Sequence, residues 1–166
     1  MSASPTVTLE LDGAKPAAAR GVQKIAAPVD RVWQVIEDVE RYAGRVPMIE
    51  RVKLAGDRVT VELKFRIAIF SAKFHFHGTV ERDEKKRVTI RAVDGEPRDL
   101  VLVFELQPDG DGSQLAIDVR FDMTSLGWLV KYFLKHHPEI EFGVFPGTAL
   151  VILDAIKRAS EAASSR

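Results

Sequence analysis

The first regular hydrophobic pattern along the chain has a helical period. Apolar side chains follow i, i+3, i+4, i+7 and i+10 spacing at Val29, Val32, Trp33, Ile36 and Val39. Pro28 suits the first turn of a helix, so the pattern predicts one amphipathic helix after a short strand at Val22 to Ile25. The helix is expected to end near Tyr42 to Gly44, because Gly favours a helix C-terminus and Pro47 cannot continue a helix.

Between Met48 and Met123 the pattern changes to a period of two. Apolar residues alternate with polar ones, and one strand of this kind is predicted from Val59 to Ile69. Turn signals interrupt the alternation at Gly56-Asp57, Arg82 to Lys86, Asp94-Gly95 and Pro108 to Gly112. The pattern is typical of consecutive antiparallel hairpins that have one apolar and one solvated face.

Two apolar stripes with helical spacing follow the strands. The first runs from Leu126 to Leu134 and ends at Pro138, and the second runs from Phe145 to Ile156. Pro146-Gly147 is awkward inside a helix, so the second helix either begins there or is kinked there. The order is strand, helix, about six strands, helix. This order predicts an α+β fold and excludes the alternating βα order of a Rossmann sheet or a TIM barrel.

One domain is expected from the length of 166 residues. Residues 1–19 are rich in Ala, Ser, Thr and Pro and are expected to be a flexible lead-in, or an extra edge strand where Thr6 to Leu11 alternates. Residues 20–166 are expected to form the domain. The chain has no cysteine, no secretory signal and no uncharged apolar run longer than Phe142 to Leu153. We therefore expect a soluble, cytoplasmic protein.

A short motif at the start of the predicted domain resembles that of a known superfamily. Its residues are Ala26-Ala27-Pro28, Val32-Trp33, Asp38, Tyr42 and Val46-Pro47. They resemble the pattern of the START-like superfamily of polyketide cyclases, lipid-transfer domains and coenzyme Q carrier proteins, and the likeness extends from Gly21 to about Ala159. The resemblance implies a helix-grip fold, in which a curved antiparallel sheet of six to seven strands wraps around a long C-terminal helix with a cavity between them. Residues Ser125 to Phe142 depart from the family pattern as a longer helical lid.

The apolar face of the predicted sheet is the candidate ligand site. No charged residue breaks the alternation in the long strands, so the same side chains either pack a solid core or line a cavity that holds a small hydrophobic molecule. The family resemblance favours the cavity. The candidate ligand-binding residues are Trp33, Tyr42, Phe65, Ile67, Phe74, Phe76, Ile90, Phe104, Phe121, Trp128, Phe133, Phe145, Ala149 and Ile152.

Catalysis receives less support than binding. We assign no catalytic residue, because a general acid or base would stand out among the apolar side chains of this face. Some relatives are aromatases, cyclases or dehydratases that act mainly by positioning a reactive chain, so the resemblance keeps an enzyme open. For that alternative the candidates at the rim of the cavity are Tyr42, Glu96 and Arg98.

Two histidines on one strand have a spacing that suits metal ligands. His75 and His77 share a face and could both reach one zinc ion, but they fall on the polar face and no Cys or regularly spaced carboxylate supplies a third ligand. They are interpreted as exposed or cross-strand-paired side chains. We predict neither a metal site nor a cofactor.

The expected partner is a small hydrophobic ligand. Lys+Arg and Asp+Glu are equal at 24 each, and there is no basic strip interleaved with aromatic residues, so nucleic acid is not expected to bind. Residues 126–137 combine Lys131 and Lys135 with aromatic side chains. This segment is either an ordinary amphipathic helix or a lid that makes a transient membrane contact. A macromolecular partner is a third alternative, and the sequence does not predict the oligomeric state.

Overall fold

In the computed structural model, which describes residues 4–67 and 69–164, eight antiparallel strands form one curved sheet. The strands are β1 (Thr6–Asp12), β2 (Lys15–Ile25), β3 (Ile49–Ala55), β4 (Arg58–Ile67), β5 (Phe70–Asp83), β6 (Arg87–Gly95), β7 (Arg98–Asp109) and β8 (Gly112–Asp122). The helices are α1 (Val29–Glu37), α2 (Tyr42–Arg45), α3 (Gly127–His136) and α4 (Pro138–Ser164), with 3₁₀ turns at Val39–Arg41 and Met123–Ser125.

The order of strands in the sheet is β1-β2-β8-β7-β6-β5-β4-β3. The long helix α4 packs against β2, β8 and β1, and α1 packs against α4. In β5, Phe74, Phe76 and Val80 are buried while His75 and His77 are exposed, as the alternation predicts. The predicted fold class is confirmed: the protein is α+β, with a curved antiparallel sheet around a long C-terminal helix. The sheet has one strand more than the upper number expected.

The first hairpin explains the additional strand. β1 pairs with β2 from Lys15 to Val22, and β2 begins at Lys15 rather than near Val22. Before Val22 this stretch contains Ala and Gly rather than the β-branched residues that mark a strand. Small residues are needed here because α4 approaches closely: a Cβ on Gly21 would lie 2.6 Å from Leu153 Cδ1, and Ala19 is fully buried.

The predicted first helix is divided into three pieces. α1 ends at Glu37, and Asp38 leaves helical geometry at φ −86° and ψ 71°. The chain then re-forms as a 3₁₀ turn and α2, and the Arg41 guanidinium lies 3.2 Å from the Asp38 carboxylate. The prediction of one continuous helix to Tyr42–Gly44 was therefore wrong. The break directs the following residues back towards the concave face of the sheet.

The strand predicted to reach Ile69 ends earlier. β4 stops at Ile67, β5 starts at Phe70, and Ile69 lies in the turn between them with 92% of its surface exposed. The sequence there, Ile67 to Phe70, contains no Gly, Pro, Asn or Asp, so composition gave no turn signal. Turns are present at Gly56-Asp57, within Arg82 to Lys86 and within Pro108 to Gly112, whereas Asp94-Gly95 ends β6 and the connection follows at Glu96-Pro97.

The C-terminal helix begins earlier than predicted. α3 ends at His136, and Pro138 is the first residue of α4. A missing N–H is tolerated there because the first turn of a helix has no partner for it. α4 then continues through Pro146, so the second apolar stripe does not begin there. Pro146 has no N–H, so it cannot donate to the carbonyl of Phe142 one turn earlier in α4.

Candidate functional site

A small inner cavity lies between the concave face of the sheet and α4. Its volume is about 50 Å³. The lining is almost wholly apolar and comprises Val39, Tyr42, Met48, Ile49, Val52, Val61, Leu63, Phe65, Phe76, Ile90, Pro97, Leu100, Leu102, Val119, Phe121, Thr148 and Ile152. The alternation of the strands places their apolar residues here, and α4 contributes Thr148 and Ile152.

A larger outer groove, of about 540 Å³, adjoins this cavity. It lies between the end of the β4–β5 hairpin and the helices α3 and α4. Its lining residues are Met48, Phe65, Arg66, Phe74, Met123, Leu126, Val130, Leu134, Ile140, Gly143, Val144, Gly147, Thr148 and Val151. Met48, Phe65 and Thr148 line both spaces, so these three residues form the boundary between the inner cavity and the outer groove.

Among the described lining residues of the inner cavity, Tyr42 and Thr148 have polar side-chain groups, and both groups are hydroxyls. The Tyr42 hydroxyl donates to the main-chain carbonyl of Ile36, and burial raises the pKa of Tyr42 well above its usual range. The Thr148 hydroxyl donates to the carbonyl of Val144 at 2.7 Å. Both protons are therefore held by the protein itself, and neither residue is set up as a general acid or base at neutral pH.

Seven of the candidate ligand-binding residues are brought together around the two spaces. The inner cavity is lined by Tyr42, Phe65, Phe76, Ile90, Phe121 and Ile152. Phe74 lines the outer groove, which Phe65 also reaches. The Phe65 and Phe74 rings pack against each other with centroids 5.8 Å apart, so these two rings form one wall of the groove.

The remaining candidates lie elsewhere. Four are buried in the core without lining either space: Trp33, Phe104, Phe145 and Ala149. Phe133 is half-buried and Trp128 is 78% exposed, both on α3 outside the groove lining. The side chain of Ile67 lies outside the described part of the structure. Periodicity identified the apolar face of each strand but not which part of that face remains unfilled.

Several lining residues were not identified from the sequence. Met48 and Pro97 come from connections between elements, where no periodic pattern extends. Gly143 and Gly147 lie one helical turn apart on α4, and apart from the neighbouring residues and backbone of α4 itself no heavy atom lies within 4 Å of the position that a Cβ would occupy on either. A pair of glycines inside a helix is a signal for a widened groove that could have been used.

Two of the three candidates for catalysis at the rim of the cavity do not face it. Arg98 makes structural contacts, and Glu96 lies in solvent. The Arg98 guanidinium lies 3.2 Å from the Asp122 carboxylate, and the Arg98 N–H donates to Ser125 Oγ at 2.8 Å. Glu96 is exposed and lines neither space. Of the three candidates, only Tyr42 contacts the inner cavity.

The two histidines of β5 lie on the solvated face. Their ring centroids are 6.0 Å apart, and His77 Nδ1 lies 2.9 Å from the Thr60 hydroxyl on β4. Within residues 4–67 and 69–164, no group of three or more His, Asp and Glu side chains is close enough together to hold a metal ion. None of the helices in that part of the chain is long and apolar enough to cross a membrane.

The chain belongs to the polyketide cyclase / dehydrase and lipid transport family, whose model matches residues 16–137. The match covers most of the sheet and α3. A search with the sequence gave no significant match among curated proteins. The superfamily predicted from the motif is therefore confirmed, while its coenzyme Q carrier branch is not.

Solved structures of low sequence identity share the fold. A Thermus thermophilus protein superposes with a TM-score of 0.69 at 17% identity, covering 87% of this chain and 97% of its own. The Zhui aromatase/cyclase of a Streptomyces species gives 0.67 at 19% identity, covering 89% and 94%. A STAR-related lipid transfer protein fragment of Xanthomonas axonopodis gives 0.63 at 16% identity, covering 95% and 93%.

Proposed function

We propose that this protein binds a small hydrophobic molecule in the outer groove and carries it without a chemical reaction. The observation that supports this most directly is the lining: two adjoining spaces with no carboxylate, histidine or lysine among their described lining residues. The two hydroxyls of the inner cavity, on Tyr42 and Thr148, donate to main-chain carbonyls. Removal of apolar ligand surface from water is then the main source of affinity.

The sizes of the two spaces favour the groove as the ligand site. Small-molecule sites usually measure roughly 300–1,000 Å³. The groove, at about 540 Å³, is within that range, whereas the inner cavity, at about 50 Å³, is too small for more than the end of a ligand. A bound molecule would therefore lie mainly between the β4–β5 hairpin and the helices α3 and α4.

The relatives support binding of this kind but name different ligands and one enzymatic activity. The family joins polyketide cyclases and dehydrases to lipid transport, and one relative is named an aromatase/cyclase. Quinones, acyl chains and aromatic polyketides are therefore the ligand classes to test. A cyclase that uses general acid–base catalysis would need a group that moves protons beside the substrate, and the described lining residues include no carboxylate, histidine or lysine for this role.

Filling the groove is the direct test. Gly147→Leu places a side chain in open space on the groove wall, and replacing Gly by Leu inside a helix is expected to stabilise it by about 0.8 kcal/mol. The protein should therefore remain folded but lose affinity for its ligand by at least tenfold or so, because the ligand and the new side chain need the same volume. Isothermal titration with a panel of a short-chain ubiquinone, a long-chain alcohol and an anthraquinone would measure this loss.

Gly44→Leu is the matched control, since Gly44 is exposed on α2, has open space around its Cβ position and lines neither space. Its affinity should equal that of the unmodified protein. Equal loss in both variants, or no loss in Gly147→Leu, would place the ligand outside the groove. If no compound of the panel binds and mass spectrometry of the natively purified protein finds no bound organic molecule, the proposed function is wrong.

A further inference from the structure

Arg66 is the charged residue of the groove. It lines the outer groove near the end of β4, and the other described lining residues of both spaces carry no charge. Among the described side chains, no carboxylate lies within ion-pair distance of its guanidinium. Its cross-strand neighbour is Ser71, which is uncharged. A guanidinium with no carboxylate partner at the mouth of an apolar groove is suited to bind an anionic group of a ligand.

The surroundings of Arg66 add positive charge on both sides of the groove. The hairpin segment 64–73 and the helical segment 126–137 together contain five cationic residues and no Asp or Glu: Lys64, Arg66, Lys73, Lys131 and Lys135. The whole chain has a net charge of zero, so this local excess is a real separation of charge. These five cations add positive charge near the groove, although Glu139 and Glu141 flank its lining residue Ile140.

The four lysines lie in the same segments as lining residues of the groove, but none of them lines it. Lys64 on β4 and Lys73 on β5 are cross-strand partners. They lie two residues along their strands from the pair Arg66 and Ser71. On the opposite wall, Lys131 and Lys135 directly follow Val130 and Leu134, and both of those apolar residues line the groove. Lys64 Nζ lies 4.0 Å from a carboxylate oxygen of Glu50, and Lys73 lines a separate surface pocket with Glu50 and Glu62.

From this arrangement we infer that the ligand is an anionic amphiphile, with its apolar part in the groove and a carboxylate or phosphate head at Arg66. This inference rests on the proposed function and assigns the chemical class of its ligand. The head stays at the mouth because burying an unpaired charge among apolar side chains is costly. The apolar part fills the space between the β4–β5 hairpin and α4, where no described lining residue other than Arg66 carries a charge.

The test compares heads on one apolar chain. Dodecanoate, dodecyl phosphate and dodecanol would each displace the uncharged fluorescent probe N-phenyl-1-naphthylamine at about pH 8, where a carboxylate is ionised. We expect the two anions to bind roughly five- to tenfold more tightly than the alcohol. Arg66→Gln should remove most of that preference and leave dodecanol unchanged, whereas Arg66→Lys should keep part of it. The preference should also decrease with added salt, because the site is exposed.

Arg58→Gln is the matched control, because Arg58 is an exposed arginine at the other end of β4 and lines neither space. It removes the same charge and should keep the preference for anions. If dodecanol displaces the probe as well as the anions do, or if Arg58→Gln and Arg66→Gln act equally, the inferred ligand class is wrong while the proposed binding function stands. If neither the probe nor any dodecyl compound binds, both are wrong.

A second arm distinguishes a free amphiphile from the head groups of a bilayer. Sedimentation with phosphatidylglycerol vesicles would be measured for the unmodified protein and for Arg66→Gln. The inference expects Arg66→Gln to affect dodecanoate binding in the absence of vesicles. If the substitution reduces only the association with vesicles and leaves dodecanoate displacement unchanged, Arg66 serves a membrane surface and the inferred ligand is wrong.

Discussion

Tyr42 shows how one residue can serve the fold at the wall of a cavity. Its hydroxyl donates to the carbonyl of Ile36, across the break that divides α1 from α2. Its ring packs edge-on against Phe104 with centroids 6.0 Å apart. The side chain therefore braces the helical segment against the sheet, and the face that remains lines the inner cavity. A residue of the family motif thus has a structural role that the sequence alone did not distinguish from ligand binding.

Tyr42→Phe is predicted to lower the free energy of unfolding by about 1–2 kcal/mol, because the variant keeps the ring but leaves a buried carbonyl without this donor. Urea unfolding of the two proteins would measure the difference. Tyr132→Phe is the control: Tyr132 is 55% exposed, and the same change there should alter stability by less than about 0.5 kcal/mol. A similar loss in both variants would mean that the Tyr42 hydroxyl contributes nothing specific.

The same residue should give a pH dependence. Burial raises the pKa of Tyr42 in the folded protein above the value of about 10 that it has when unfolded. Below about pH 10 both states keep the proton and the full stability is present. As the pH rises above this value, the unfolded state releases the proton first, so the free energy of unfolding falls. Tyr42→Phe should show a smaller fall above about pH 10 in urea unfolding. Parallel curves for the two proteins would contradict the raised pKa.

At the scale of elements, α3 is fixed to the sheet at its beginning and exposed along its length. Asp122 accepts hydrogen bonds from the Thr124 N–H at 3.0 Å and from its hydroxyl at 2.6 Å, and Ser125 donates to the Asp122 carbonyl. These bonds order the 3₁₀ turn that leads into α3. Val130 is buried, whereas Trp128 and Tyr132 are largely exposed. The helix α3 therefore covers one side of the groove with a single row of apolar side chains.

The exposed aromatic residues of α3 lead to a prediction about membranes. Trp128 and Tyr132 lie beside Lys131 and Lys135, a combination suited to the interface of an anionic bilayer. We predict that the protein sediments with phosphatidylglycerol vesicles, and that replacing both aromatic residues by Ala weakens this association about tenfold or more. Both positions are exposed, so folding should be unaffected.

The control for this prediction removes exposed apolar side chains elsewhere. Leu11 is 53% exposed on β1 and Val93 is 74% exposed on β6. Their double replacement by Ala should leave vesicle sedimentation unchanged. If it lowers sedimentation as much as the α3 variant does, or if the unmodified protein binds phosphatidylcholine equally well, the contact is not specific to α3 and its cations.

Most elements could be predicted from the sequence because their pattern follows burial on one face. The exceptions have identifiable causes. β2 was predicted too short because Ala19 and Gly21 are small to admit α4, which conceals the strand pattern. The turn at Ile69 carries an apolar residue in solvent, so its composition resembles a strand. Asp38 ends a helix without Gly or Pro, and its departure from helical geometry has no counterpart in hydrophobic spacing.

The candidate site was predicted only in part. Alternation shows which face of a strand is apolar, but it does not show which side chains on that face border an unfilled space. Phe76 and Phe104 both point towards the concave side of the sheet. Phe76 lines the inner cavity, but Phe104 is fully buried against Tyr42 and lines no space. The difference depends on where α2 and α4 lie over the sheet, which is a tertiary property. The lining residues from connections, such as Met48, follow from the same placement.

For the whole molecule, the grip of the sheet on α4 leaves most of the concave face filled and a space open at one end. Leu153 and Ile156 are fully buried where α4 meets β2 and β8. Closer to its start, α4 presents Gly143 and Gly147, and the groove opens there. The depth to which a ligand can enter is therefore set by the residues between the groove and the inner cavity.

Met48 is the residue of this boundary whose removal should join the two spaces. It lines both of them and is half-buried, and an unbranched thioether side chain adapts readily to what lies beside it. Met48→Ala should cost about 1–2 kcal/mol of stability, less than for a fully buried methionine. In return, a longer apolar chain could reach the inner cavity. Each additional buried methylene contributes about 0.8 kcal/mol, so two of them should raise affinity roughly tenfold.

The measurement is the ratio of affinities for hexadecanol and dodecanol, obtained by displacement of N-phenyl-1-naphthylamine. The ratio should be higher for Met48→Ala than for the unmodified protein. Met123→Ala is the matched control, because Met123 lines the groove but not the inner cavity, so its removal widens the groove without opening the deeper space. Since both variants lose the same side chain, a higher ratio in Met48→Ala alone would report entry into the inner cavity. An equal change in both would show that ligands stay in the groove, and that the inner cavity is a packing defect of the grip between sheet and helix.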